Sequence, residues 1–333
     1  MIIALKKLPE QQTLQILCDR LKAIYVAYDN KHLLVTPSKT KEIPEDIMPL
    51  VDMHWIFPDD MQLASRQFMP EKRTINISGE ITIGGNTNHC LVIGGPCSVE
   101  SEEQIEASAS FMKSLGISVL RAGSYKPRTS PYSFQGLGKQ GLILLDKMRS
   151  KYGLKIITEV RDATHIEDII EYADIIQIGA KSMYDHGILK RCGKTNKPVL
   201  LKRGFGSTLQ EFVQAAEFIL SGGNPNVILC ERGIRTFETK TRFTLDLCGA
   251  AYLKHHTNLP IILDPSHAIG HAYGVPDLAK ACLAMGIDGL LIEVHPNPKV
   301  ALSDASQQLD HDTFARLYED LKKLANALNI KII

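Results

Sequence analysis

The sequence has one tryptophan, only 6% aromatic residues and no excess of either charge, with 38 lysines and arginines against 37 aspartates and glutamates. A surface built for nucleic acid carries a strong basic excess, so the balance argues against a nucleic-acid partner. Any affinity for anions must come from a local cluster of cations. No run approaches the roughly 20 consecutive apolar residues of a membrane span. The opening Met1-Ile-Ile-Ala-Leu-Lys-Lys-Leu-Pro9 lacks the order of a signal peptide, because its short apolar run precedes its charges. Paired cysteines are missing as well. The seven, at positions 18, 90, 97, 192, 230, 248 and 282, are scattered, odd in number and free of any Cys-x-x-Cys. Reduced thiols in a cytoplasmic protein are expected, with no membrane partner and no disulfide framework.

What is present is ordinary in bulk and unusual in pattern. With 333 residues, 44% apolar and 23% charged, the chain can bury a sizeable core, as one large domain plus a small one. Residues 1–60 alternate in short units. Ile2 to Leu5 reads as a strand, and Glu10 to Leu21 as a helix with Leu14, Leu17 and Leu21 on one side. Ala23 to Tyr28 and His32 to Thr36 read as a hairpin around Asp29-Asn30-Lys31. A short helix near Glu45 to Leu50 and a strand from Val51 to Phe57 would complete β-α-β-β-α-β, the ferredoxin-like order. Residues 61–72 read as a linker, and Thr74 to Ile83 as a small hairpin opening a second domain that spans 73–333.

Beyond residue 90 the rhythm changes. Eight short β-branched runs recur, at 91–93, 117–120, 155–158, 175–178, 199–201, 227–229, 261–263 and 290–292, with helix-length amphipathic stretches between them. Ser101 to Leu115 opens on a Ser101/Gln104 capping pattern. Asp312 to Leu328 carries the stripe Phe314, Leu317, Leu321, Leu324 and Leu328, expected to face a core. This alternation predicts a (β/α)8 TIM barrel; a doubly wound sheet is the alternative.

In such barrels chemistry gathers on the loops that follow the strands. The runs end here in Cys97, in Arg121 with Lys126 and Arg128, in Glu159, and in Lys181. The later ones end in Lys202-Arg203, in Arg232 and Arg235, in Asp264-Pro-Ser-His267, and in Glu293-Val-His295. Two chemistries separate. Arg121, Lys126, Arg128, Lys181, Lys202 and Arg232 predict a positive pocket in a neutral protein, suited to small phosphorylated or carboxylated metabolites. Pro127 stiffens the backbone between two of those cations. Cys97, His267, Glu293 and Asp304 offer a thiol, an imidazole and two carboxylates, residue types that suit a divalent transition metal. Spacing leaves the metal open, since no local ligand pair exists. Gly136-Leu-Gly138-Lys-Gln-Gly141 fits G-x-G-x-x-G, but it follows the cationic loop and has no acidic partner for a ribose. It is read as a turn into a helix starting near Leu142.

Taken together, Gly95-Pro-Cys-Ser98, Lys126-Pro-Arg-Thr-Ser130, Ile178-Gly-Ala-Lys181, Leu201-Lys-Arg-Gly204, Asp264-Pro-Ser-His267, Ile292-Glu-Val-His295 and Ser303-Asp304 occur in order. They resemble the 3-deoxy-D-arabino-heptulosonate 7-phosphate synthase family, type I, over residues 74–328. The N-terminal unit is similar to the regulatory domain carried by one branch of that type. The resemblance implies condensation of phosphoenolpyruvate with erythrose 4-phosphate and water, releasing phosphate, at the entry to the shikimate pathway and aromatic amino-acid biosynthesis.

It implies Cys97, His267, Glu293 and Asp304 as ligands of a divalent metal, Mn2+ or one of Zn2+, Fe2+, Co2+ and Cd2+. Arg121, Lys126, Lys181, Lys202 and Arg232 are implied for phosphoenolpyruvate, and Arg128, Thr129 and Ser130 for the sugar phosphate. Lys126 is the candidate proton donor to the nascent alkoxide, and Glu159 the candidate for positioning the water. An aromatic amino acid or pathway product as effector of the N-terminal domain, and a homo-tetramer, are also implied. Two rivals remain. One is 3-deoxy-D-manno-octulosonate 8-phosphate synthase, which uses arabinose 5-phosphate and carries a Lys-Ala-Asn-Arg-Ser-Ser type loop in place of Lys126 to Ser130. The other is a non-catalytic metabolite sensor on the same barrel.

Overall fold

A computed structural model describes residues 1–126 and 130–333. The chain opens with β1 (Ile2–Leu5), α1 (Gln11–Leu21), β2 (Ile24–Tyr28), β3 (Lys31–Val35) and β4 (Val51–Trp55). These strands form an antiparallel sheet in the order β2-β3-β1-β4. Asp29 and Asn30 both take positive φ (48° and 60°), the geometry of a two-residue hairpin turn that matches strand twist. Alternation along β1 sends Ile3 and Leu5 toward Leu17 and Leu21 of α1, while Ile2 and Ala4 face the barrel core. The helix expected near Glu45 to Leu50 is not formed. Only a 3-10 turn spans Met48–Leu50, because Pro49 lacks the N–H that would bond back to Glu45 O and the chain leaves in extended form at Val51. The unit is therefore a small α+β domain with one helix.

Residues 61–72 pack along the barrel, with Leu63, Ala64 and Phe68 buried. The carboxylate of Glu217 accepts the backbone N–H groups of Gln62, Leu63 and Ala64 at 2.7, 3.1 and 2.8 Å. The Arg73 guanidinium lies over the Tyr28 ring, 4.7 Å from its centroid. Next comes a hairpin, β5 (Thr74–Ser78) and β6 (Ile81–Gly84).

The barrel follows: β7 (His89–Gly95), α2 (Glu102–Ser114), β8 (Val119–Arg121), α3 (Lys139–Tyr152), β9 (Lys155–Val160), α4 (Ile166–Tyr172), β10 (Ile175–Ile178) and α5 (His186–Cys192). It continues with β11 (Val199–Lys202), α6 (Leu209–Ser221), β12 (Val227–Glu231), α7 (Leu247–His256), β13 (Ile261–Leu263), α8 (Pro265–Ile269), α9 (Val275–Ala284), β14 (Gly289–Glu293), α10 (His311–Ala327) and β15 (Lys331–Ile332). Strands β7 to β14 run parallel, each beside the next, and β14 pairs back onto β7. The TIM barrel is thus closed. Strand β15 adds beside the start of β7.

Local chemistry explains the helix ends. Ser101 caps α2 by accepting Gln104 N–H, but the Gln104 amide turns to Glu100 N–H and Ser98 O, so the reciprocal half of the expected box is replaced. Thr208 and Glu211 form a complete capping box on α6. Phe314, Leu317 and Leu321 of α10 are buried as the stripe predicts, whereas Leu328 lies past the helix and is exposed. Among the described residues no helix is long and apolar enough to cross a membrane.

Candidate active site

Strand alternation builds the site. Inward-facing Leu91, Ile93, Val119, Ile157, Ile175, Leu200, Ile228, Ile262 and Leu291 fill the barrel interior, and Ile75, Ile77 and Ile83 of the β5–β6 hairpin join them from the N-terminal end. One period of two further along the same strands lie Arg121, Glu159, Gln177, Lys202, Asp264 and Glu293. The opposite parity explains Arg203. It points between the strands and the helices, pairing with Glu231 at 2.9 Å and Asp246 at 2.8 Å, and so is structural.

The first chemical group is a donor cluster. One ligand atom each from Cys97, Glu293 and Asp304 lies within 4.8 Å of the others. His267 Nε2 is 3.5 Å from Glu293 Oε1 and 4.0 Å from Asp304 Oδ2, which places the fourth predicted ligand at the same point. His267 Nδ1 lies 2.7 Å from Asp264 Oδ2, leaving Nε2 directed at the cluster. Asp304 takes a positive φ of 45°. Its loop is pinned by Ser303 Oγ to Ser98 Oγ (2.6 Å), and by Gln308, which accepts Cys97 N–H (2.9 Å) and donates to Ser303 O (2.8 Å).

Cations surround the cluster. Arg121 is buried and ion-paired with Glu293. Lys126 Nζ is 3.1 Å from Cys97 Sγ and 3.0 Å from Cys97 O. Lys202 Nζ is 2.7 Å from Asp264 Oδ2. Burial, with the Glu293 charge, pushes the Cys97 thiol up to about 12. Burial alone would lower Lys126, but Cys97 and Glu159 raise it, so it holds its proton. Burial would also raise Asp264, yet His267 and Lys202 hold it well below the usual carboxylate range. His267 is lowered by burial in spite of Asp264, leaving a neutral imidazole, the form that binds metal.

Above the cluster opens a cavity of about 340 Å3, lined by Lys126, Glu159, Lys181, Lys202, Arg232 and Asp304 among others. Arg232 is buried against the Phe243 ring, 4.5 Å from its centroid, and its Nε and Nη1 find no hydrogen-bond partner among the described residues. Orphaned guanidinium donors beside a cavity call for an anion. Glu159 Oε2 accepts from Gln177 Nε2 at 2.8 Å, and a Cβ on Gly179 would meet Glu159 Oε1 at 2.0 Å. Gly179 is therefore what lets Glu159 stand upright in the cavity.

The structure thus brings Cys97, Arg121, Lys126, Glu159, Lys181, Lys202, Arg232, His267, Glu293 and Asp304 to one end of the barrel. Ser130 opens the turn that follows: its Oγ accepts Tyr132 N–H and its carbonyl accepts Ser133 N–H, which leaves the hydroxyl its own hydrogen to donate. Arg128 and Thr129 lie outside the described residues. The G-x-G-x-x-G stretch is a packing element: Gly136 has φ of 90°, and a Cβ there would meet Ser124 O at 2.1 Å. The helix it leads into begins at Lys139.

Several residues escaped the sequence reading. Arg235, noted at a strand end without a role, and Arg242, Phe205 and Phe243 all line the cavity. Phe205 stacks on Phe243 at 5.4 Å, and Arg235 stacks on Phe205 at 4.9 Å. The density of Arg and Phe between Arg232 and Phe243 was the available signal. Asp264 was visible only as part of a motif, and nothing marked Gln307.

The comparisons with known proteins converge. The DAHP synthetase I family matches residues 68–329. The chain is 48% identical over 271 residues to a phospho-2-dehydro-3-deoxyheptonate aldolase of Thermotoga maritima, covering 81% of this chain and 79% of that protein. A 2-dehydro-3-deoxyphosphooctonate aldolase of Syntrophotalea carbinolica is 30% identical over 260 residues, covering 73% and 92%. The crystal structure of the Thermotoga maritima phospho-2-dehydro-3-deoxyheptonate aldolase aligns with a TM-score of 0.81 and 39% identity, over 100% of this chain and 99% of that one. A truncated form of 3-deoxy-D-arabino-heptulosonate 7-phosphate synthase from Thermotoga maritima gives 0.76 and 44%, over 81% and 98%.

Proposed function

The chain belongs to the DAHP synthetase I family, and from that premise we propose that it condenses phosphoenolpyruvate with D-erythrose 4-phosphate and water. The products are 3-deoxy-D-arabino-heptulosonate 7-phosphate and inorganic phosphate, the first step of the shikimate pathway. One observation carries the reading. A thiol, imidazole and carboxylate cluster sits at the floor of a cavity walled by lysine and arginine. The donor set fits a divalent transition ion such as Mn2+, Zn2+, Fe2+, Co2+ or Cd2+ better than Mg2+ or Ca2+, which favour oxygen alone. Cys97, His267, Glu293 and Asp304 would hold that ion, which supplies Lewis acidity toward the aldehyde oxygen.

The chain's own residues do the rest. Lys126, Lys181, Lys202 and Arg232, with Arg121 beneath, bind the phosphoenolpyruvate carboxylate and phosphate. Arg232 uses the donors that are otherwise orphaned. Carbon C3 of phosphoenolpyruvate attacks the aldehyde carbon, and the Lys126 ammonium gives its proton to the oxygen that becomes a hydroxyl. Its raised pKa keeps that proton available. Glu159, held by Gln177, orients the water that adds at C2. The hemiketal then collapses to the ketone as its C–O bond to phosphate breaks. Arg128 and Thr129, with Ser130, hold the sugar phosphate.

An assay of phosphate release tests this directly. It compares erythrose 4-phosphate with arabinose 5-phosphate, with and without a chelator. Preference for arabinose 5-phosphate would defeat the proposal, and absence of any turnover would favour a sensor. Residues 1–60 act as the regulatory unit, so phenylalanine, tyrosine or tryptophan added to the same assay should inhibit. The chain assembles as a tetramer, which light scattering checks.

A further inference from the structure

Gln307 is buried, 1% exposed, in the loop that carries Asp304. Its amide nitrogen donates to Glu293 Oε2 at 2.6 Å, and its amide oxygen accepts from Arg242 Nη1 at 2.7 Å. A guanidinium can only donate and an ionised carboxylate can only accept. The two neighbours therefore fix which way the amide points, and only an amide of this reach can bridge them. Glutamate there would set two carboxylates face to face, and lysine would offer Arg242 no acceptor. Direct pairing of Arg242 with Glu293 would spend both charges on each other.

The bridge has a consequence at each end. Glu293 is held by Oε2, so Oε1 is the oxygen turned to Arg121 and lying 3.5 Å from His267 Nε2. Arg242 keeps its place on the cavity wall, 3.6 Å from Asp304 Oδ2. We propose that Gln307 is a positioning residue, which presents Glu293 Oε1 to the metal cluster and ties that carboxylate to Arg242 at the substrate cavity. The inference rests on the reading of Cys97, His267, Glu293 and Asp304 as metal ligands.

The test is titration of the metal-free protein with Co2+. Its visible bands report ligand geometry, its near-ultraviolet band reports the Cys97 thiolate, and equilibrium dialysis gives the dissociation constant. Gln307→Leu is expected to weaken Co2+ binding about 10–100-fold, the usual cost of losing a partner behind a ligand, and to shift the visible bands. Arg242→Met, which frees the amide to turn, should weaken it less. The double variant should be no weaker than Gln307→Leu alone, since both act through one bridge. If Gln307→Leu does not fold, Gln307→Asn, which retracts the amide by one methylene, carries the same expectation. Affinity and bands unchanged in the folded variant overturn the role of Gln307 alone. A parent protein without the thiolate band overturns both the metal reading and this inference.

Discussion

At the N-terminal end of the barrel the inward residues are Leu91, Val119, Ile157, Leu200, Ile228, Ile262 and Leu291, and the β5–β6 hairpin caps them with Ile75, Ile77 and Ile83. At the other end the same strands turn inward Arg121, Glu159, Lys202, Asp264 and Glu293, and a cavity takes the place of the cap. A step of two residues separates a dry core from a charged floor. The closed end is dry where these apolar side chains pack on one another. The open end keeps its charges because most buried ones are answered: Arg121 pairs with Glu293 and Lys202 with Asp264, while the Lys126 ammonium donates to the Cys97 carbonyl and thiol sulfur. Arg232 differs: among the described residues it pairs with no carboxylate, and its Nε and Nη1 find no partner. Stability should therefore reside at one end and turnover at the other.

The sharpest way to break this division is Lys126→Ala. Loss of the proton donor should lower kcat about 10²–10⁴-fold with little change in the thermal midpoint, measured by phosphate release beside a calorimetric melt. Near-normal turnover would remove Lys126 from its role. The mirror experiment is Ile75→Ala at the closed end. It should cost about 2–5 kcal/mol of stability in a denaturant titration and leave kcat of the folded fraction unchanged.

Smaller effects sharpen the comparison. Burial holds the Glu217 carboxyl up at about 7, even though the Ala64, Leu63 and Gln62 N–H groups and Arg73 pull it down. A folded-state value above the ordinary carboxylate range means the native protein binds a proton that the unfolded chain has released. Its contribution is therefore full at low pH and is lost as pH rises toward and through about 7. Raising pH from about 5 to 8 should weaken the seam between the N-terminal domain and the barrel by about 2 kcal/mol. Glu217→Gln should flatten that slope in pH-resolved melts. Arg232→Leu completes the series: it removes an anion contact without touching the donor cluster, so KM for phosphoenolpyruvate should rise about tenfold. The Co2+ affinity should stay unchanged.

Much of this was legible in the chain itself. The eight β-branched runs gave the barrel because period two and helix-length spacing are local properties. The strand-end residues followed, since a residue one period beyond a core position shares its face. The second helix expected in the N-terminal domain is absent, because Pro49 interrupts a weak helical pattern that the sequence alone suggests. Arg242, Phe205, Phe243 and Gln307 were missed because they sit in loops, where no period links position to direction.

By itself the sequence determined which residue types stand at the ends of the strands, and so the chemistry on offer: a thiol, an imidazole, carboxylates and a set of cations. Only the tertiary structure decided the pairings. Arg203 and Lys202 are adjacent in sequence, yet one is locked behind the strands by Glu231 and Asp246 while the other reaches Asp264 inside. Charge is written in the sequence, but whether a charge is spent on a neighbour or left for a ligand depends on distances between residues that are far apart in the chain.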